Sequence, residues 1–224
     1  MLKKPHILIA IDGPAGAGKT TIAKKVAKEL GVLYLNTGAM YRAAGLYAYE
    51  HNIDPLDNES VLTFLSQIDI DVEYKNGEQQ TMLNGKNVNA KLSNDTISEY
   101  ASKISSIHAV REKMVAIQQA LSKKQSLIID GRDIGTVVLP NATHKFFLDA
   151  SVEIRAKRRY DEYILKNNDN VNYEEILYDM KERDFRDTTR EHSPLKKADD
   201  AIYIDSSYMT IEEVVSNILS YFER

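Results

Sequence analysis

The chain has 224 residues, 43% of them hydrophobic and 28% charged, which fits one globular α/β domain with a sizeable core. Its formal net charge of −4 argues against a surface that coats nucleic acid. It contains no cysteine, which excludes disulfides, thiol catalysis and cysteine–zinc sites and fits a reducing compartment.

The first element is a short apolar run, Ile7–Ile11, which predicts a buried β-strand. Lys3 and Lys4 precede it, as in a signal peptide, but the apolar stretch is too short and Asp12 follows in place of a cleavage region. No run elsewhere reaches transmembrane length. We therefore expect a cytoplasmic protein with no membrane partner.

A glycine-rich loop follows that strand, and the segment 13–20, GPAGAGKT, matches the phosphate-binding pattern G-x-x-x-x-G-K-[ST] in full. A helical pattern comes directly after it. The glycines allow backbone N–H groups to face phosphate oxygens, Lys19 can reach the β- and γ-phosphates, and the Thr20 hydroxyl can ligate Mg²⁺. We predict a nucleoside triphosphate site formed by Gly13, Pro14, Ala15, Gly16, Ala17, Gly18, Lys19, Thr20 and Thr21.

The remaining apolar runs alternate with helical stretches, which predicts a doubly wound, five-stranded parallel sheet of the α/β class. Most of these runs are continuous rather than alternating, as in strands covered on both faces. A last helix begins near Thr210 and runs to the C-terminus. The five predicted strands are Ile7–Ile11, Val32–Leu35, Leu127–Asp130, Lys145–Leu148 and Ala201–Ile204.

A small antiparallel insertion interrupts this rhythm at Asp69–Val88. Its sequence alternates with a period of two, and the dipeptides Asn76-Gly77 and Asn84-Gly85 are strong hairpin turns. We predict a helical segment over Asn94–Lys123 directly after it.

Two polar motifs lie where predicted strands end. The segment 36–42, NTGAMYR, follows the second strand, and the segment 130–138, DGRDIGTVV, follows the third. Ligands bind at the carboxyl ends of strands in open α/β sheets, and an arginine with a polar partner suits a second phosphate-bearing ligand. The structural alternatives are a solvated helix residue for Arg42 and a partner for a neighbouring aspartate for Arg132.

A third group lies near the end of the chain. Arg183, Asp187 and Arg190 are spaced i, i+4 and i+7, which places them on one face if Tyr173–Arg190 is helical. By spacing alone, a surface ladder of ion pairs is the favoured interpretation.

Four segments together resemble the bacterial cytidylate kinases: GPAGAGKTT, LNTGAMYR, IIDGRDIGTVVLP and ERDFRDTTREHSPL. The resemblance covers nearly the whole chain in order and spacing. It implies transfer of the γ-phosphoryl group of ATP to CMP or dCMP with Mg²⁺, in a monomer. It also implies one domain, 1–224, with a core of 1–36, 124–150 and 200–224, a monophosphate-binding region of about 37–123, and a helical lid and acceptor helix of about 151–192.

The resemblance also implies roles for particular residues. Arg42 and Arg132 match the arginines on the CMP phosphate, and Thr37 stands where the family often has serine. Ser102, Arg111 and Asp133 match the residues that read cytosine, whose amino group suits a carboxylate. The implied CMP-binding set is Thr37, Arg42, Ser102, Arg111, Arg132, Asp133, Arg183, Asp187 and Arg190.

Arg155, Arg158 and Arg159 open the helix after the fourth strand and resemble a mobile lid that brings arginines to the transferring phosphoryl group. A basic solvated face is the structural alternative. The polar stretch Lys166–Asn170 suits the far end of the lid. The predicted catalytic residues are Lys19, Arg132, Arg159 and Arg190, and Asp130 is a weaker choice for orienting water on Mg²⁺.

Two alternatives remain at this point. The same fold could use another acceptor, such as UMP, AMP or shikimate. A P-loop switch acting through a partner would need a guanine-reading N-K-x-D motif, which the chain lacks. The expected ligands are ATP and CMP or dCMP, without nucleic acid.

Overall fold

The computed structural model describes residues 6–165 and 171–222. They belong to two compact units, the first formed by Met1–Val32 and Ile128–Arg224 and the second by Leu33–Leu127. In chain order the strands are β1 (Leu8–Asp12), β2 (Leu33–Asn36), β3 (Ile70–Lys75), β4 (Glu78–Leu83), β5 (Lys86–Asn87), β6 (Leu127–Gly131), β7 (His144–Asp149) and β8 (Ile202–Asp205). The α-helices are α1 (Lys19–Leu30), α2 (Thr37–Glu50), α3 (Asn58–Leu65), α4 (Asp95–Ile104), α5 (His108–Ser122), α6 (Val152–Leu165), α7 (Tyr173–Thr189) and α8 (Ile211–Leu219).

The larger sheet has five parallel strands in the order β2-β6-β1-β7-β8. All five runs predicted as strands are confirmed. Apart from Leu8 at the start of β1, the apolar residues of β1 and β6 are buried, with Ile9, Ile11 and Leu127 through Ile129 at 0% exposure. Strands covered on both faces need this continuous apolar pattern, which explains why the sequence marks them clearly.

In the first unit, the loop between β1 and α1 passes very close to a neighbouring strand. A Cβ on Gly13 would lie 1.9 Å from the carbonyl oxygen of Leu148, so no side chain fits there. Gly18 caps α1 in the left-handed region, with φ of 86°. Glycine adopts this backbone conformation without steric cost, and the loop can therefore turn directly into the helix.

In the second unit, the predicted antiparallel insertion is confirmed as a three-stranded sheet in the order β3-β4-β5. Helix α2 packs tightly against α4 at Gly45. A Cβ on this glycine would lie 2.8 Å from the backbone nitrogen of Ala101 and 3.1 Å from the carbonyl oxygen of Ile97.

The helical segment predicted over about Asn94–Lys123 is confirmed in extent, but the chain divides it into α4 and α5 with a break between them that was not predicted. The Ser105 hydroxyl donates to the carbonyl of Ser102, and the Ser106 hydroxyl donates to that of Lys103. Serine side chains that bond nearby carbonyls compete with the helical ladder, which favours an end here.

Two predicted helix ends also differ from the structure. Helix α7 ends at Thr189, and Arg190 adopts an extended conformation with ψ of 141° as its C-cap. Arg190 is therefore not on the helical face predicted from its spacing. The last helix begins after Thr210, which forms a capping box with Glu213 as its sequence indicates, but it ends at Leu219. The predicted break at Lys166–Asn170 lies outside the described residues.

In the part of the chain that the structure describes, no helix has both the length and the apolar character needed to cross a membrane.

Gly45→Ala should lower the free energy of unfolding, although alanine is the better helix former by about 1 kcal/mol. The added methyl group would overlap the α4 backbone, and overpacking of this kind costs about 1–3 kcal/mol. Urea denaturation of both proteins measures the difference. A stabilised variant would show that α4 moves aside at little cost.

Candidate active site

Lys19 lies within the glycine-rich loop that the sequence assigns to phosphate binding. Its side chain is buried, and Nζ donates a hydrogen bond of 2.6 Å to the carbonyl oxygen of Pro14. Burial, followed by the charge of Arg132, holds the pKa of Lys19 well below its usual range. Little water and a nearby like charge therefore disfavour the charged form of Lys19, and a phosphate oxygen close to its ammonium group would stabilise that form.

Asp12 ends β1 immediately before the loop and connects it to the segment that carries Arg132 and Asp133. Its two carboxylate oxygens accept hydrogen bonds from consecutive amides, Ile134 at 2.8 Å and Gly135 at 2.7 Å. Asp12 is buried, and burial raises its pKa to about 6 against the opposing effect of these bonds. One buried carboxylate thus fixes where the Arg132–Asp133 segment leaves β6.

Thr20 and Asp130 lie together, with the Thr20 hydroxyl donating to Oδ2 of Asp130 at 3.0 Å. Hydroxyl and carboxylate oxygens are hard donors that suit Mg²⁺, which usually takes few protein ligands and completes its shell with phosphate and water. Among the described residues there is no group of three His, Cys, Asp or Glu side chains suited to a metal ion. This pair therefore fits Mg²⁺ held jointly with a nucleotide, not a metal site made by protein alone.

The predicted acceptor residues of the first unit form a connected group. Arg132 Nε donates to Asp187 Oδ2 at 2.8 Å, and Arg190 lies 3.9 Å from both Asp187 and Asp133. Burial alone raises the pKa of Asp187, but the charge and hydrogen bond of Arg132 outweigh it and hold this pKa below its usual value. Because α7 ends at Thr189 and Arg190 is extended, the Arg190 side chain lies near Asp133 as well as Asp187.

Arg183 adds another cation to this group. Burial, followed by the charge of Arg132, lowers its pKa to about 10, so it is still protonated at neutral pH. Its Nε is buried and has no hydrogen-bond partner among the described residues. A guanidinium in this condition is stabilised by an anionic oxygen.

The three predicted lid arginines have different surroundings. Arg159 is 40% exposed at its side chain, contacts Glu162 and Tyr163, and is close enough to Arg183 to affect its pKa. Arg158 donates to the carbonyl oxygen of Ser206 at 2.6 Å. Arg155, by contrast, is buried. The three residues therefore do not act as one set.

In the second unit, the start of α2 combines a helix N-terminus with an arginine. Asn36 caps the helix by accepting from Ala39 N at 3.1 Å, and Thr37 is buried at its first position. The Arg42 guanidinium folds back along the first turn, since its terminal nitrogens lie 3.8 and 3.9 Å from the Cβ position of Gly38. Backbone N–H groups and a guanidinium in this arrangement suit an anion.

The two other predicted residues of this unit lie on either side of the break between α4 and α5. Ser102 is on α4, and the buried Arg111 is on α5. Arg111 Nη1 donates to the Ser105 carbonyl at 3.3 Å, and its guanidinium lies 5.9 Å from the ring centre of Tyr41. The break that the sequence did not reveal therefore provides a partner that positions Arg111.

The structure adds supporting residues that the sequence did not indicate. Gln79 of β4 accepts from Asn36 N at 2.7 Å and donates to Asn36 O at 3.3 Å. The Tyr74 hydroxyl donates to the Tyr34 carbonyl at 3.1 Å. A polar residue on an alternating strand looks like an ordinary solvent-facing one, so no sequence signal marks this role. Asp12 could have been suspected from its position beside the loop.

A parallel α/β sheet, a complete phosphate loop and a dense group of arginines define the P-loop nucleotide-binding class. The family profile "Cytidylate kinase" matches residues 9–224. A "Cytidylate kinase" of Caldicellulosiruptor bescii is 49% identical over 97% of this chain and 96% of its own length, and one of Caldicellulosiruptor saccharolyticus is 50% identical over the same shares. The chain belongs to the cytidylate kinase family.

A solved shikimate kinase from Acinetobacter baumannii, in complex with shikimate, superposes with a TM-score of 0.46 at 18% identity. It covers 96% of this chain and 92% of its own. A similarity this low carries no information on substrate.

Asp12→Asn should change how the free energy of unfolding depends on pH. Because the pKa of Asp12 is raised from 3.8 to about 6, its contribution to stability is full below the unfolded value and is lost as pH rises through about 6. This one group lowers the unfolding free energy by up to about 1.4 kcal/mol per pH unit in that range. Asparagine cannot titrate, so urea denaturation at a series of pH values should show a flatter dependence. Identical slopes would contradict the assignment.

Proposed function

We propose that this chain transfers the γ-phosphoryl group of ATP to CMP and dCMP, giving CDP or dCDP and ADP. The observation that carries the proposal is full-length similarity to cytidylate kinases at close to half identity. The alternative is the same chemistry with another acceptor, UMP or AMP.

The cations of the first unit support transfer between two phosphate-bearing ligands. Beyond the effect of burial, the charge of Arg132 lowers the pKa of Lys19 and that of Arg183, which means that like charges are held close together. Phosphoryl transfer spreads negative charge over equatorial oxygens, and prearranged cations stabilise that charge without further reorganisation. We assign catalytic roles to Lys19, Arg132, Arg190 and the more exposed Arg159.

On the donor side, we propose that residues 13–21 bind the ATP phosphates through backbone N–H groups and Lys19. Thr20, with the weaker choice Asp130, would hold Mg²⁺. When bound, the cation offsets phosphate charge. The residues themselves orient the triphosphate and keep Lys19 directed into the loop through its bond to Pro14.

On the acceptor side, we propose that Arg42 and Arg132 bind the CMP phosphate, with Thr37, and that Arg183, Asp187 and Arg190 bind sugar and phosphate. Asp133 accepts from the cytosine N4 amino group, Ser102 contacts the same edge, and Arg111 donates to O2 and N3. A buried carboxylate disfavours uracil, which has a carbonyl at that position.

We further propose that the protein works as a cytoplasmic monomer without nucleic acid. An acidic chain without cysteine is consistent with this proposal. Light scattering of the purified protein measures the oligomeric state directly.

An ADP-release assay with CMP, dCMP, UMP, AMP and shikimate tests the acceptor. CMP and dCMP should turn over fastest, and faster than UMP in particular, because cytosine has an amino donor for Asp133 where uracil has a carbonyl. The assay is run with ATP alone as the background. Turnover of another acceptor, with CMP and dCMP at background, would reject the proposed specificity.

Asp133→Asn should reduce the preference for CMP over UMP by about tenfold or more, since an amide can donate to the uracil carbonyl as well as accept from cytosine. The kcat/KM values for both acceptors measure this ratio, and ATP affinity should change little. The matched control is Asp161→Asn, which replaces an exposed carboxylate on α6. An unchanged ratio, or equal losses for CMP and ATP, would contradict the assignment.

A further inference from the structure

We propose that Arg155 is a positioning residue that aims the backbone of the phosphate loop, and that Asp184 of the acceptor helix holds Arg155 in place. This inference rests on the proposed binding of ATP to the loop. It assigns Arg155 a role different from that of an arginine that reaches the transferring phosphoryl group.

Each of the three nitrogens of the Arg155 guanidinium donates a hydrogen bond inside the first unit. Nε donates to the carbonyl oxygen of Ala150 at 2.8 Å, Nη1 to that of Ala15 at 3.0 Å, and Nη2 to Asp184 Oδ2 at 2.6 Å. The side chain is 5% exposed. A planar fork with three acceptors in place has one orientation, and moving it to a ligand would break all three bonds.

The bond to Ala15 determines the orientation of a peptide group in the loop. In a trans peptide the carbonyl oxygen of Ala15 and the N–H of Gly16 point in opposite directions. Fixing the carbonyl toward Arg155 therefore fixes the Gly16 N–H away from it. Phosphate loops bind by their N–H groups, so the orientation of this peptide bears directly on affinity for phosphate.

Gly16, whose N–H belongs to this peptide group, also lies against α7. A Cβ on Gly16 would lie 3.1 Å from Arg155 Cβ and 3.2 Å from Met180 Cε. Met180 and Asp184 are one turn apart on the helix that also carries Arg183 and Asp187. The loop and the acceptor helix thus meet at one place, where the Arg155–Asp184 pair supplies the polar contact.

The charges of Arg155 and Asp184 require that the two residues be changed together as well as singly. Asp184 Oδ1 is buried and has no partner among the described residues, so Arg155 provides the bond to the other oxygen of this carboxylate. Removing Arg155 alone leaves a carboxylate without that partner, a costly change. Removing both charges avoids this cost while still deleting the bond to Ala15.

The test compares Arg155→Met with the double variant Arg155→Met/Asp184→Asn, using titration calorimetry with ATP and with inorganic tripolyphosphate. Loss of a charge-assisted bond to the loop should raise both dissociation constants by about tenfold. Tripolyphosphate has no base or sugar, so an effect on it must come through the phosphate loop. Circular dichroism confirms that each variant is folded.

Further variants separate positioning from a general effect of charge. Arg155→Lys keeps the charge but loses the fork, and its affinity should lie between those of the wild type and Arg155→Met. The double variant should bind no more weakly than Arg155→Met, because Asp184 acts through Arg155. Lys157→Met is the matched control, since Lys157 is an exposed cation on the same helix, paired with Asp161. Its affinities should match the wild type.

Two results would overturn the proposal: unchanged affinities in the folded double variant, or a loss for ATP with none for tripolyphosphate, which would mean a direct contact with the nucleoside. Failure of the wild type to use CMP would reject the proposed acceptor. The affinities of the wild type and the variants for ATP and tripolyphosphate could still be compared, so a failure of the proposed acceptor is distinguishable from a failure of the proposed role of Arg155.

Discussion

Repulsion between closely placed cations is the constraint on which the rest of the site depends. Burial removes much of the water around Lys19 and Arg183, and the nearby charge of Arg132 lowers the pKa of both side chains further. Asp187 offsets part of this repulsion through its bond to Arg132. An anionic ligand oxygen close to these cations would offset the remaining repulsion.

Such a region requires a rigid scaffold, and buried polar contacts supply it. Asp12 ties the end of β1 to the segment after β6 through two amide bonds, although burial opposes its charge. Arg155 connects the phosphate loop to α7 through the carbonyl of Ala15 and the carboxylate of Asp184. Neither Asp12 nor Asp184 is among the predicted ligand-binding residues, yet each holds a backbone or side-chain group next to the residues that we propose bind phosphate.

Support within the second unit follows the same principle. The antiparallel insertion uses Gln79 to bond both backbone groups of Asn36, the residue that caps α2. The break between α4 and α5 places the Ser105 carbonyl where Arg111 can bond it. Here too, the residues that touch a ligand in the proposal are oriented by neighbours with no chemistry of their own.

The sequence by itself determined the five strands, the phosphate loop, the insertion and the family, because each follows from a local pattern of residues. Continuous apolar runs mark strands buried on both faces, and the spacing of Gly13, Gly18 and Lys19 is enough to specify a phosphate loop. The joining of Arg132 to Asp187, 55 positions apart, was not visible in this way.

Only the tertiary structure decided which arginines are exposed enough to contact a ligand and which are buried and bonded to other parts of the chain. Arg155 and Arg159 are four residues apart on one helix and look alike in sequence, but one is buried against Ala15 and Asp184 while the other is partly exposed. The end of α7 before Arg190 and the break after Ile104 were likewise not predicted, and at the break the Ser105 and Ser106 hydroxyls bond to carbonyls of α4. Local patterns specify elements, whereas the partner of a charged side chain depends on residues distant in the chain.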